Sequence, residues 1–483
     1  MKTRLRAELW DKLHYILSHS TDRMIRIALQ YDGLIQPETL KKALEHVTNS
    51  NPILHSAFRD HPLRPYWEVQ PYSIDNILIV KDILTVTEAG KAEMEAGTGT
   101  EAGTEAEQAK QRFMHRVIPT DSNVQYKVAL INHKGNSQLC IMINHMCVDG
   151  RGSQILLNYI AATYSKIHNN LPVPELKSGS RAHAKIYAGF SFLNRLAARL
   201  LLTNITRLKE KRSFAYTPQD PSDDLLMVTA KWTDEEFAKI RETLKIRETA
   251  KWTAEEPAAI REPATIKEFA RIKQSAKKKG ATVNDVLLAF YTHALYQTCD
   301  FPKDAPLTIT CMVDNRRHIQ DTEITGLTNH VGLMQVRIDR CGSTIGDTVA
   351  EIAKVTAREK KKRFFGLSGI PLIKLGYYLP FFLVKPGTML WFLNPLLGFS
   401  NLGIVQEDLF KMGEHNVTDG LFFGPVQFKP HISIYIHKTN NILYLSVAVK
   451  GNEQDRQKIL QLFDAMKNHM QEFVNGKHLV KEA

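Results

Sequence analysis

The residues with the clearest chemical potential lie together at 144–150, Asn144-His145-Met146-Cys147-Val148-Asp149-Gly150. Just before them, Leu139-Cys140-Ile141-Met142-Ile143 is an unbroken apolar run bounded by polar residues, which suits a strand buried on both faces. Such a strand delivers Asn144 and His145 at its end, followed by a short turn over 146–150 and a helix from about residue 153. Side chains at the end of a buried strand face a crevice and are well placed for catalysis. A neutral imidazole near pH 7 can take a proton from an incoming hydroxyl or amine, so His145 is a candidate general base. Asp149, four residues on, can reach back to hold the loop by an ion pair or turn hydrogen bonds; the spacing also admits a His145–Asp149 dyad. Gly150 allows a backbone angle that other residues resist. The chain has 18 histidines, so the same pattern can arise in an ordinary surface turn, and its place after a buried strand is what favours chemistry.

The elements that must position these residues alternate between strand and helix. Residues 24–30 alternate like a strand, and 37–47 follow with Leu40, Ala43, Leu44 and Val47 at helical spacing. Further strands are expected at 77–80, 124–132 and 138–144. Between them, 87–111 is rich in Ala, Gly, Thr and Glu, lacks apolar periodicity, and reads as a flexible surface loop. A helix-rich crossover over 152–212 leads to a strand at 225–232. That strand runs into Thr233-Asp234-Glu235-Glu236, a capping-box start for a helix. The segment 231–242 (KWTDEEFAKIRE) recurs as 251–262 (KWTAEEPAAIRE), a local tandem duplication whose second copy contains Pro257 and is followed by Pro263. An irregular insertion is expected there. The pattern resumes with Ala281-Thr282-Val283-Asn284-Asp285 and an apolar helix over 286–296. Strands are expected at 307–313, 331–338, 403–405, 432–436 and 443–449, with a closing amphipathic helix over 453–473. This alternation in both halves indicates an α/β protein of two similar lobes, 1–190 and 225–483, joined by a crossover at 191–224 and carrying an insertion at 241–262.

Composition narrows the function classes. The 483 residues exceed one ordinary core, and 43% hydrophobic with 24% charged residues is the profile of a soluble globular protein. Residues 1–11 are charged throughout and lack the apolar run of a signal peptide. The nearest approach to the roughly 18 apolar residues of a spanning helix is 376–399, interrupted by Pro380, Lys385, Pro386 and Pro395. Five cysteines, odd in number and without CxxC spacing, argue against a disulfide framework and a zinc site, so no metal is expected and a reducing cytoplasm is the simplest home. The net charge of +12 attracts anions, with basic clusters at 209–212 and 354–363. Neither cluster interleaves aromatics, so both read as solvated helix faces and no nucleic acid is expected. The segment 364–399, with Phe364, Phe365, Tyr377, Tyr378, Phe381, Phe382, Trp391 and Phe392, reads first as core and cavity wall. Its neighbouring basic run 360–363 also suits an amphipathic, lipid-facing patch, so a peripheral membrane contact over 360–399 is the alternative.

Asn144-His145 followed by Asp149-Gly150 resembles the active-site motif of the chloramphenicol acetyltransferase-like superfamily, which includes nonribosomal-peptide condensation domains, alcohol O-acetyltransferases and polyketide-associated acyltransferases. Further segments resemble that family in the expected order: 51–59, 281–285 with 287–294, Val313-Asp314-Asn315-Arg316, Asn329-His330-Val331-Gly332-Leu333 and Phe399-Ser400-Asn401-Leu402-Gly403. The resemblance spans nearly the whole chain apart from the two insertions. It implies two lobes, each a mixed sheet with helices, and a tunnel in which a thioester donor and an acceptor meet at His145. It also implies that Asp149 turns away from the substrate to pair with Arg316, and that the Gly150 amide lies near the substrate. Acyl-coenzyme A or a phosphopantetheine thioester on an acyl carrier protein would be the co-substrate, with no permanently bound cofactor, a small-molecule acceptor and a monomeric enzyme. Condensation domains usually carry two adjacent histidines; the first position is Asn144 here, which favours simple acyl transfer over amide condensation. A free-standing condensation enzyme and a non-catalytic binding protein on the same fold are the other readings. Ser400 and Asn401 are candidates to stabilise an oxyanion, or else form a tight strand entry that shapes the tunnel. Arg317 and His318 read as a surface turn.

Overall fold

The computed structural model describes residues 3–83, 101–176, 179–200, 210–232, 281–319, 326–367, 379–391, 394–440 and 442–474. The apolar run ahead of His145 becomes the strand Asn136–Asn144, at the centre of a five-stranded sheet. The order is Val417–Phe423, Met24–Tyr31, Asn136–Asn144, Tyr126–His133, Leu78–Ile83, antiparallel except for the last, parallel pair. Alternate residues of the central strand face opposite layers, as a continuous apolar run requires. Leu139, Ile141 and Ile143 pack with Leu40, Leu44 and Val47 of helix Pro37–Ser50 and with Leu156, Leu157 and Ile160 of helix Gly150–His168. Cys140 and Met142 face the other way, against Ala109, Phe113 and Met114. Each such fully buried leucine or isoleucine contributes roughly 1.5–3 kcal/mol.

Those last three residues correct one expectation. Residues 101–111 are not a flexible loop: Glu101–Met114 is a helix. Ala106, Ala109 and Phe113 recur at helical spacing, and together with Met114 they cover the outer face of the first sheet. Small alanines made the stripe look polar, and its bulky anchors lie just past the Ala/Gly/Thr-rich stretch. Residues 87–100 of that segment fall outside the described residues, as do the helix start at 233–236 and the duplicated insertion 241–262.

The second sheet has six strands in the order Val331–Ile338, Leu307–Asp314, Leu397–Ile404, Ile432–Thr439, Ile442–Gly451, Asp224–Trp232. Helices Val283–Thr298, Ile345–Lys360 and Glu453–Val474 pack with it in one core. Thr282 and Asp285 form the capping box of the first of these helices. Asp285 also accepts from Thr356 Oγ1 and Lys360 Nζ at 2.7 and 3.0 Å, tying that helix to its neighbour. A small third sheet joins Arg4–Arg6, Tyr66–Val69 and Ser56–Arg59.

Two further expectations change. The strand expected at 403–405 is Leu397–Ile404, so Ser400 and Asn401 lie within it rather than at its entry, opposite Tyr435 and Ile436. Leu397 and Phe399 anchor it in the core, and the register slips between Asn401 and Ile404, where Gly403 takes φ 73°. The boundary at 225 does not separate two self-contained sheets either. Val417–Phe423, from the second half, pairs with Met24–Tyr31 and completes the first sheet. The helix-rich stretch expected over 152–212 is seen in helices Gly150–His168 and Phe192–Leu200. No helix among the described residues is long and apolar enough to cross a membrane.

Candidate active site

The strand Asn136–Asn144 ends where the chain turns into helix Gly150–His168, and Asp149 is the N-cap of that helix. Asn144 is fully buried. Its Nδ2 donates to Gln125 Oε1 at 2.8 Å and its Oδ1 accepts from Met146 N at 3.0 Å, so it braces the turn. His145 follows, its N–H donating to the Arg23 carbonyl at 2.7 Å. Arg23 has φ 65°, a left-handed conformation uncommon for its type, which holds that carbonyl in place.

The His145 ring borders a cavity of about 220 Å³ between the two sheets. The apolar wall includes Trp10, Met312, Leu333, Leu402, Phe422 and Tyr435; Gly150, Asp149, Arg316, Ser400 and Asn401 also border it. Burial holds the imidazole below its ordinary pKa, against opposing contributions from hydrogen bonds to its own carbonyl and to that of Val148, and from the Asp149 charge. His145 is therefore neutral at pH 7, which leaves a lone pair for a base.

Asp149 is occupied elsewhere. Its Oδ1 accepts from Gly152 N at 2.7 Å and Arg316 Nη2 at 3.1 Å; its Oδ2 accepts from Arg316 Nη1 and His330 N, both at 2.8 Å. Burial alone raises the carboxyl pKa, but the Arg316 charge and these hydrogen bonds outweigh it and hold it below the ordinary range. Arg316 also donates to the Thr328 carbonyl at 3.0 Å and to Asp314 at 3.2 Å. Thus Asp149 and Arg316, 167 residues apart, clamp the start of the helix to the second lobe. No carboxylate among the described residues hydrogen-bonds the His145 ring, so the geometry is not that of a His–Asp dyad.

Gly150 takes an ordinary helical conformation, not a left-handed one, which corrects the reason expected for its glycine. Its need is space: a Cβ there would lie 2.5 Å from Leu402 Cδ2. Of the oxyanion candidates, Asn401 is engaged, donating to Asn284 Oδ1 at 3.1 Å and accepting from Gly403 N at 2.8 Å. The Ser400 hydroxyl makes no hydrogen bond among the described residues and borders the cavity. Arg317 is an exposed residue over the Phe365 ring, and His318 Nε2 is 2.9 Å from the Phe365 carbonyl.

Two residues at the site had no role assigned from sequence. Asn329 places its Nδ2 3.1 Å from His145 Nδ1, and His14 stacks on the His145 ring with centroids 4.2 Å apart. His14 lies on helix Leu9–Ile16, whose only sequence signal is the Glu8–Asp11 capping box and the apolar spacing of Leu9, Leu13 and Ile16.

Residues 13–189 match the Condensation domain family. No curated protein matches the sequence. Among solved structures, the first condensation domain of the CDA synthetase superimposes with a TM-score of 0.64 at 15% identity, covering 98% of this chain and 96% of that one. The starter condensation domain of the rhizomide synthetase, a variant in complex with C8-CoA, gives 0.62 at 12% identity, covering 98% and 95%. A trichothecene 15-O-acetyltransferase from Fusarium sporotrichioides gives 0.65 at 11% identity, again covering 98% and 95%. At such identities the likeness is one of fold. Residues 13–189 are thus similar in sequence to the Condensation domain family, and over nearly its whole length the chain shares the fold of these condensation domains and of the acetyltransferase, the two-lobed fold that its motifs led us to expect.

Proposed function

We propose that this protein is an acyltransferase that moves an acyl group from a thioester, on coenzyme A or an acyl carrier protein, to a hydroxyl or amine acceptor. The observation that carries this reading is the neutral His145 ring at the cavity, free of any carboxylate, with Asp149 held away by Arg316. His145 takes the acceptor proton as the acceptor oxygen or nitrogen bonds to the thioester carbonyl carbon. Charge then develops on the carbonyl oxygen, where the Ser400 hydroxyl and the Gly150 amide are the donors that could steady it. Asn401 is the weaker candidate because its amide is already used. Collapse breaks the C–S bond, and His145 returns the proton to the departing thiolate. The C8-CoA complex of the rhizomide synthetase domain supports a thioester donor.

His145→Ala is expected to lower kcat roughly 10²–10⁴-fold. Octanoyl-coenzyme A with a panel of alcohols and amines, read by product mass, is the assay. Full activity in a folded His145→Ala protein would refute the base, and inactivity of the parent towards every donor would favour a non-catalytic binding protein. The match to the Condensation family favours a second reading, amide formation between carrier-bound partners. Against it, the side chain in the first histidine position, Asn144, is spent bracing the turn. Transfer from acyl-coenzyme A with no carrier protein present separates the two.

Further proposals concern setting. Phe382, Leu383 and Leu390 of helix Phe381–Trp391 are 54%, 55% and 66% exposed, which supports a peripheral membrane contact there; liposome co-sedimentation at low and high salt tests it. Five free cysteines support a cytoplasmic setting. We propose a monomer.

A further inference from the structure

Two residues that border the cavity, Gly424 and Tyr435, take no part in the reaction above. Tyr435 belongs to strand Ile432–Thr439 of the second sheet, and Gly424 directly follows strand Val417–Phe423 of the first. The two meet across the gap between the sheets. A Cβ at Gly424 would lie 1.9 Å from Tyr435 Cζ and 2.1 Å from Tyr435 Cε1. The backbone angle of Gly424 is not left-handed, so the ring against it is what requires a glycine. Tyr435 is only 9% exposed, so packing holds its ring in place. The ring therefore bridges the sheets and walls the cavity on that side.

That wall stands beside the reacting carbonyl. Ser400 and Tyr435 are direct partners in the parallel pairing of their strands, which lie about 4.8 Å apart, and both border the cavity. A thioester whose carbonyl oxygen sits at the Ser400 hydroxyl has its acyl chain, bonded to the same carbon, within reach of the ring. Phe422 and Phe423, next to Gly424 in the chain, also border the cavity. The charged side chains around it are already engaged: Asp149 and Asp314 bond to Arg316, and Arg151 donates to Gln154 at 2.8 Å. An apolar chain leaves those bonds intact, whereas a charged one would find no free counter-charge among the described residues. We propose that Tyr435, seated on Gly424, is a specificity-determining residue that sets the length of the aliphatic acyl chain the enzyme transfers. This rests on the acyltransferase reading. Chains too short to touch the ring gain about fourfold in kcat/KM for each methylene they bury, and longer ones meet the ring and are refused.

The test is a chain-length profile of the full-length protein, with straight-chain donors from acetyl- to palmitoyl-coenzyme A and one fixed acceptor. The parent is expected to show a rise and then a sharp limit. Tyr435→Leu removes the ring and should move the limit to longer chains, raising kcat/KM about tenfold for the first chain the parent refuses, the worth of one to two buried methylenes. Gly424→Ala pushes the ring towards the open cavity and should move the limit to shorter chains. The double variant, in which the smaller leucine leaves room for the new methyl, should recover at least the parental limit. Its recovery is what a general loss of packing would not produce. A limit that stays in place in folded Tyr435→Leu and Gly424→Ala refutes the wall. A limit that moves along a series of straight-chain alcohol acceptors, while the donor profile stays fixed, overturns the assignment to the acyl chain. Failure of the acyltransferase reading is separate. If the parent turns over no donor, its affinity for the same series is read by titration calorimetry against coenzyme A alone. Affinities that ignore chain length in parent and variants then overturn this proposal too, whereas a limit that shifts with Tyr435 supports it without turnover.

Discussion

The clamp between Asp149 and Arg316 allows a quantitative test of how the active-site turn is held. Arg316→Ala removes two of the four hydrogen bonds that reach the Asp149 carboxylate and leaves the amides of Gly152 and His330. The Asp149 side chain is 2% exposed and that of Arg316 12%, so water replaces little of what is lost. Breaking a buried pair by deleting one partner typically costs about 3–5 kcal/mol. Two surviving amide donors place the expected loss near the lower end, about 3 kcal/mol at pH 7. Arg316→Lys keeps the charge but not the fork, and should lose about half as much.

The pH dependence gives the sign. In the parent, the depressed Asp149 pKa contributes stability that is present above the unfolded carboxylate value and lost as pH falls through the folded one. In Arg316→Ala, burial dominates, so the folded pKa rises and the penalty is relieved by protonation. The difference between the two proteins should therefore shrink markedly by about pH 4. Urea unfolding at both pH values is the assay. An Arg316→Ala protein as stable as the parent at pH 7 refutes the clamp, and a loss that does not shrink refutes its electrostatic origin.

Gly150→Ala places a methyl against Leu402, so it should cost roughly 1–3 kcal/mol of overpacking and raise KM by narrowing the cavity. Leu402→Ala in the same protein should recover both, and no recovery would rule out the contact. Asn144→Ala abandons Gln125 Oε1 and Met146 N in a buried turn, for a loss of about 1–3 kcal/mol by thermal or urea unfolding. Burial, reinforced by the repelling charge of Arg316 and opposed by the Asp149 carboxylate, lowers the His330 pKa to about 4. The unfolded chain then takes up the proton first as pH falls, so stability is full above about pH 6.5 and declines towards pH 4. His330→Leu should flatten that decline, and an unaltered slope would show that His330 does not cause it.

Much of the scaffold was legible because its determinants are local. The strand before His145 follows from five consecutive apolar residues, and the helix after Asp149 follows from a capping side chain and helical spacing. The helix Val283–Thr298 announces itself through Thr282 and Asp285. The candidate base could be found from these alone, since a polar residue at the end of a buried strand must open onto the edge of the sheet. The resemblance supplied Arg316 as the partner of Asp149; spacing along the chain could not, because 167 residues separate them.

Other features were decided by tertiary structure. Helix Glu101–Met114 looked too polar to be buried, yet an uncovered sheet face makes even an alanine stripe worth docking. The strand Val417–Phe423 left its own half of the chain because the first sheet had a free edge beside Met24–Tyr31. Gly150 is required by Leu402, a neighbour from another sheet, and not by its own backbone angle. His14 reached the site because helix Leu9–Ile16 packs across the lobes, carrying an imidazole to within stacking distance of His145. Residue type and short-range spacing determine which segments become strands and helices and which side chain stands at a strand end. Which partners meet that side chain depends on burial between segments hundreds of residues apart, and only the folded chain decides it.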